Sequence, residues 1–262
     1  MSTADKGPIL TQKEFWEKEW NELELPIVLD PTKRADRSFI HLFKKYLSIK
    51  DGSEKSCIEI GSNPGKFIIF AAKYLNYDIS GVDYDEKGCL FTQKNIKAAG
   101  LNVSIYKQDI FDFDIDKKYD LVISCGFVEH FEGEKLDEVL KKHIDLLKDG
   151  GRLFLSVPNF RYLNYIFSYF FRKDMLEVHN LEIMQKSFFE EMAIKNNLEV
   201  EFLDYFGGLH PGGIKLPKNN SFNKFIMEKL IGSSQKSGIL DHLNSKYFSH
   251  HLGAVYKKLS DN

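Results

Sequence analysis

Four short stretches of this 262-residue chain place glycine, carboxylate and imidazole groups at spacings that suit a ligand. Glu59-Ile60-Gly61-Ser62-Asn63-Pro64-Gly65 stands between an apolar run and an amphipathic one. Gly61 and Gly65 let a backbone turn sharply and come close to a ligand, and the start of the next helix offers unpaired N–H groups to an anion. The same glycines also suit ordinary strand-to-helix packing. Asp83 follows about 20 residues after Gly61, where a carboxylate accepts from the two ribose hydroxyls of a nucleoside cofactor. Its alternative is a solvated strand-end residue or a helix N-cap, although Asp85 is available for capping. In Gln108-Asp109-Ile110, Asp109 suits the exocyclic amine of adenine and Ile110 its ring; against that, Asp112, Asp114 and Asp116 make this an acidic loop. Ser124-Cys125-Gly126-Phe127-Val128-Glu129-His130-Phe131 offers close backbone approach at Gly126. His130 is the candidate general base, since imidazole titrates near neutrality, with a loop-ordering histidine as the alternative.

The elements that must position these groups are legible from periodicity. SCIEIG, ISGVD, NVSIYK, YDLVISCG and RLFLSVPN read as strands, with Val103 and Ile105 on one face of the third. GKFIIFAAKYL, EKGCLFTQKNIKAA (ended by Gly100) and KLDEVLKKHIDLLK (ended at Gly150-Gly151) read as helices between them. LEVEFLDYF and HLGAVYKKL supply a sixth and a seventh strand. Strands alternating with helices imply βαβ units and a largely parallel sheet with helices on both faces. All four chemical stretches then fall at the carboxyl ends of successive strands, and that joint placement is more specific than any one of them.

Residues 1–50 read as a helical cap segment and 51–158 as the α/β core. Residues 159–186 form an aromatic helical insertion, and 187–262 complete the core around a second insertion, 207–247. Hydrophobic residues make up 43% of the chain, enough for a sizeable core, and 22 Phe with 12 Tyr exclude a disordered chain. Lys+Arg 36 against Asp+Glu 38 gives a net charge of −2, which excludes binding of nucleic acid mainly by phosphate neutralisation. Cys57, Cys89 and Cys125 form no close pair, so a reducing compartment and no metal ligand set are expected. No run approaches the ~20 apolar residues of a membrane span, and MSTADKGPILTQ has no signal-like apolar core. A cytoplasmic protein is the expectation.

The chain resembles the class I S-adenosylmethionine-dependent methyltransferases, most closely over residues 56–160 and in HLGAVYKKL. Residues 59–65 look like the family's first motif, with Asn63 where a glycine usually stands. Gly81-Val82-Asp83-Tyr84-Asp85 looks like its second, Gln108-Asp109-Ile110 like its adenine-contacting turn, and Cys125 to His130 like a segment of many small-molecule members, including the ubiquinone-biosynthesis type. The resemblance implies a Rossmann-like, seven-stranded sheet with strand seven antiparallel, and S-adenosylmethionine across the strand ends. It implies Glu59, Gly61, Ser62, Gly65, Asp83, Tyr84 (beside adenine), Asp109, Ile110, Cys125, Gly126 and Phe127 as cofactor residues. A nicotinamide dinucleotide is disfavoured because the G-x-G-x-x-G turn is not matched.

The expected activity is methyl transfer to an O or N atom of a small apolar or aromatic acceptor. Trp16, Asn159, Tyr162, His179 and His210 are the candidate acceptor residues. Aromatics such as Tyr165, Phe167 and Phe170 either line a pocket, pack as core, or rest on a membrane surface between Arg161 and Lys173. The competing functions are methylation of tRNA or protein, with Lys44, Lys45, Lys215, Lys218 and Lys224 as a basic patch, and S-adenosylmethionine binding without turnover.

Overall fold

In the run YDLVISC, Leu121, Val122 and Ile123 are all fully buried, as a strand covered on both faces requires. The computed structural model describes residue 10 and residues 25–49, 53–103, 105–208 and 243–260. It forms a seven-stranded sheet in the order β3-β2-β1-β4-β5-β7-β6. The strands are β1 (Lys55–Ile60), β2 (Tyr77–Asp83), β3 (Ile105–Lys107), β4 (Tyr119–Cys125), β5 (Leu147–Pro158), β6 (Leu198–Phe206) and β7 (His251–Lys258). β1 to β5 run parallel, and β7 is inserted antiparallel between β5 and β6. This is the class I methyltransferase form of the Rossmann-like fold. The order reverses between β1 and β4, so a crevice opens beyond their carboxyl ends.

The helices are α1 (Arg34–Tyr46), α2 (Lys66–Leu75), α3 (Glu86–Ala98), α4 (Gly133–Asp145), α5 (Tyr162–Phe171), α6 (Lys173–Glu177) and α7 (Lys186–Lys195). Alternate strand residues feed two cores. Ile58, Val122 and Leu153 meet Val139 and Leu140 of α4 and Phe189 of α7 on one face. Cys57, Leu121 and Phe154 meet α1 and α2 on the other, where Phe43 and Phe154 sit edge to face at 4.8 Å. Each such ring contributes about 1.5–3 kcal/mol by leaving water.

Three elements differ from the periodicity. The helix expected to reach Gly150-Gly151 stops at Asp145, because Leu147 pairs with Tyr119 and the Tyr119 N–H donates to the Leu146 carbonyl at 2.7 Å. Apolar spacing at 146–147 thus serves a strand rather than a last helical turn. β3 keeps only three residues of the alternating run. In α5, only Asn164 and Ser168 are buried, so its aromatic side chains are not core, and none lines the strand-end crevice.

Candidate functional site

The crevice at the switch point is a cavity of about 760 Å³, lined from the carboxyl ends of five strands and from the excursion after β5. Its floor is the turn after β1. The Gly61 and Ser62 N–H groups both donate to the Val82 carbonyl, at 3.0 and 3.2 Å, which stitches the turn to β2. Gly61 has φ +69°, and a Cβ there would lie 2.6 Å from Phe127 Cδ2, so only glycine fits. Gly65 (φ +82°) caps α2 without facing the cavity; a Cβ on it would strike Thr92 at 2.9 Å. Ser62 does not line the cavity either. Its side chain packs against Gly81, where a Cβ would come within 2.7 Å, so the expectation of a cofactor contact from the Ser62 side chain does not match its placement. Glu59 is also behind the wall: it is buried and accepts the Ile68 N–H of α2 at 3.4 Å. Burial pushes its carboxyl well above the ordinary carboxylate range. Asn63 and Pro64 line the cavity in their stead, and the Asn95 amide holds the Pro64 carbonyl at 2.7 Å.

Asp83, Tyr84 and Asp85 border the cavity at the end of β2. Asp83 Oδ1 accepts the Asp85 N–H at 3.0 Å, and burial raises its carboxyl to about 6 against the lowering effect of backbone donors. Two donors from a diol would hold that carboxyl ionised. Asp85 is the N-cap of α3, accepting from Gly88 at 2.8 Å. Tyr84 is exposed at the rim. At the end of β3, Asp109 turns its carboxylate onto the Phe111 N–H at 3.0 Å while Ile110 is buried against the cavity. Cys125, Gly126 and Phe127 form the wall after β4, and burial pushes the Cys125 thiol up, which keeps it protonated.

The other end of the cavity carries Glu129, His130 and His179, all buried. One donor atom from each lies within 4.8 Å of the others, and the two imidazole centroids are 4.7 Å apart. His130 Nδ1 sits 2.8 Å from the Val178 carbonyl, and His179 Nδ1 sits 2.6 Å from the Met175 carbonyl. Those carbonyls accept only from a protonated nitrogen, so the proton of each neutral ring is on Nδ1 and its lone pair on Nε2. Burial lowers His130 to about 4; burial and the His130 ring lower His179 to about 3. Burial raises Glu129 to about 8, and its Oε2 has no hydrogen-bond donor among the described residues. At neutral pH the trio is therefore two neutral imidazoles and a protonated carboxyl. One carboxylate and two imidazoles are also a donor set able to hold a divalent transition metal. The sequence predicts no metal ligand set, and His179, 49 residues beyond His130, joins the other two only through the fold.

The remaining predicted residues fall elsewhere. Asn159 is a structural anchor: its amide donates to the Lys246 and Ser249 carbonyls at 3.0 and 2.8 Å, and it does not face the cavity. Tyr162 packs edge to face on Tyr247 at 5.1 Å, outside the cavity. The acceptor-side positions inferred for both do not match these placements: β5 ends in a turn that directs Asn159 at the 245–250 loop, and α5 turns outward. Trp16 and His210 lie outside the described residues. Phe160 and Met175 line the cavity without having been singled out; a single apolar residue in a loop carries no periodicity to mark it.

A methyltransferase-domain family model matches residues 57–151. A probable (S)-tetrahydroprotoberberine N-methyltransferase 2 of Papaver bracteatum is 26% identical over 135 residues, covering 51% of this chain and 37% of that protein. A putative protein N5-glutamine methyltransferase of Methanocaldococcus jannaschii is 28% identical over 140 residues, 52% of this chain and 67% of that one. The chain thus spans little more than a third of the first relative's length. Coclaurine N-methyltransferase, solved with N-methylheliamine and SAH, shares the fold at a TM-score of 0.55 and 18% identity, over 84% of this chain and 72% of that one. Residues 57–151 thus match the methyltransferase-domain family, on a fold of the class I methyltransferase type. The relatives named here for small-molecule acceptors are N-methyltransferases, and the matches do not single out the ubiquinone-biosynthesis type.

Proposed function

We propose that this chain methylates a nitrogen of a small, largely apolar acceptor that enters uncharged, with an oxygen acceptor as the variant the same site serves. The observation that carries this is one continuous cavity. The glycine turn, Asp83 and Ile110 line it at one end, and Glu129, His130 and His179 line it at the other. The residues fit S-adenosylmethionine. Gly61 lets the turn pack directly against Phe127 at the cavity wall, Asp83 would receive the ribose hydroxyls, and Asp109 with Ile110 would border the adenine.

When bound, the cofactor supplies an activated methyl on a sulfonium. The protein's part is alignment and proton handling. The cavity walls Phe127, Phe131 and Phe160 confine the acceptor, and holding the reacting atoms in near-attack geometry is worth about 7–11 kcal/mol of barrier. His130 Nε2 takes the proton that the acceptor atom must shed, with His179 beside it. A neutral amine attacks through its lone pair and sheds its proton only after transfer, so a base pushed down to about 4 hinders it less than a phenol, which must lose its proton as it attacks. The neutral trio also disfavours a permanently charged acceptor.

The test is calorimetry with S-adenosylmethionine and S-adenosylhomocysteine on wild type and Asp83→Ala, followed by a screen of secondary amines, phenols and a glutamine-containing peptide. Micromolar binding lost in the variant, with turnover on an amine, supports the reading. Turnover on the peptide alone, or binding of NAD in place of S-adenosylmethionine, overturns it.

A further inference from the structure

α5 is built inside out. Its sequence YLNYIFSYFF buries only its small polar residues, Asn164 and Ser168, while every apolar side chain is exposed, from 37% at Phe171 to 72% at Phe170. The helix is tied down through that polar edge: Asn164 Nδ2 donates to the Ser249 carbonyl at 3.0 Å, and the Leu163 N–H to the Tyr247 carbonyl at 3.2 Å. We propose that α5 is an interaction surface for an anionic lipid bilayer, lying in the headgroup region with its aromatic side chains in the acyl boundary.

Two observations select a lipid surface over a protein partner. The first is the arc. At 3.6 residues per turn, the exposed positions from Tyr165 through Tyr169, Ile166, Phe170 and Leu163 to Phe167 sweep about 200° of the helix. A neighbouring helix covers a stripe of about 100°, so one docked element leaves half of this surface in water, whereas immersion covers all of it. The second is charge. Arg161 and Lys246 stand at the N-terminal end, with Lys246 Nζ 5.7 Å from the Tyr162 ring, and Arg172 and Lys173 stand at the C-terminal end. Asp174 and Glu177 pair with the latter two, which leaves a net positive rim around an apolar centre rich in Tyr and Phe. That composition is the one that partitions to a membrane interface, where amphipathic rings meet headgroups and cations meet anionic lipid. Among the described residues no helix is long and apolar enough to cross a membrane, so the contact is a surface one.

The experiment is co-sedimentation of the full chain with vesicles of phosphatidylcholine containing phosphatidylglycerol, and of phosphatidylcholine alone. The expected result is pelleting with the anionic vesicles, weakened by salt. In Phe167→Ser/Phe170→Ser the bound fraction falls at least about tenfold, because two rings no longer leave water. Arg161→Gln/Lys246→Gln narrows the difference between the two vesicle types. S-adenosylhomocysteine calorimetry and circular dichroism show that each variant is folded; should the double variant not fold, Ile166→Ser carries the same arm. Absence of pelleting by folded wild type overturns the proposal, as does pelleting unchanged in the folded double variant. Light scattering that shows a dimer dissolved by Phe167→Ser/Phe170→Ser also overturns it and assigns the face to a second copy.

Discussion

The strand-end edge and the excursion after β5 contribute to one cavity, yet they are built by opposite logic. At the edge, groups are fixed by the backbone next to them: Gly61 by its φ of +69°, Asp83 by the Asp85 N–H, Asp109 by the Phe111 N–H. Where the segment after β4 meets the excursion, groups are fixed by distant chain. The Asn180 N–H donates to the Glu129 carbonyl at 2.7 Å and its side chain to the Phe131 carbonyl at 3.1 Å, and the Val178 carbonyl faces His130. Under the proposed function, the edge would be a local, repeatable cofactor cradle, and its junction with the excursion a chain-specific end for the acceptor and the proton it sheds. The difference teaches that cofactor and acceptor residues need different kinds of reasoning even when they line the same space.

The sharpest break of that comparison is at the histidines. His130→Ala is expected to lower turnover by about 10²–10⁴-fold while S-adenosylhomocysteine affinity stays within about threefold. His179→Ala, from the excursion, is expected to fall in the same direction by less; equal cofactor losses in both would merge the two regions into one. Next comes Asp83→Ala, for which calorimetry is expected to show cofactor affinity weaker by roughly a hundredfold, two charge-assisted hydrogen bonds being lost.

A smaller effect separates the buried carboxyl from the two buried imidazoles by pH. Glu129 rises from 4.5 to about 8, so the folded chain keeps a proton that the unfolded chain releases. Its contribution to stability is whole below about 4.5 and is lost as pH climbs through about 8. His130 and His179 have the opposite sense: lowered to about 4 and about 3 from 6.5, they stabilise above 6.5, and that contribution is lost as pH falls through about 4 and about 3. Glu129→Gln is expected to flatten the alkaline side of a Tm-against-pH curve and leave the acid side in place, by thermal unfolding without ligand. The smallest effect is expected at Ser62→Ala, where cofactor affinity stays within about twofold, since the Ser62 hydroxyl is buried with no hydrogen-bond partner and faces Gly81 rather than the cavity.

Much of this was readable before any coordinates. Apolar runs such as LVISC and the glycine-bearing turns place the parallel strands and the cavity edge, because period and backbone geometry are local properties. The antiparallel seventh strand and the cofactor rested on resemblance. Long-range pairing hid the rest. KDGG looks like a helix end until Tyr119 claims Leu146 and Leu147, and Asn159 looks like a ligand residue until the loop at 245–250 supplies its acceptors. In α5 the pattern of aromatics was visible, but no periodicity tells which side of a helix faces inward when both sides carry apolar residues.

The Val178 carbonyl has a consequence for how this molecule can diversify. It lies only three residues from Met175, which lines the cavity, and it also decides which nitrogen of His130 carries the proton. An insertion or deletion between Met175 and His179 that reshapes this end therefore also threatens to rotate the His130 ring or move its proton. Under the proposed function, selectivity and proton transfer would be inherited together, as one module to be exchanged whole.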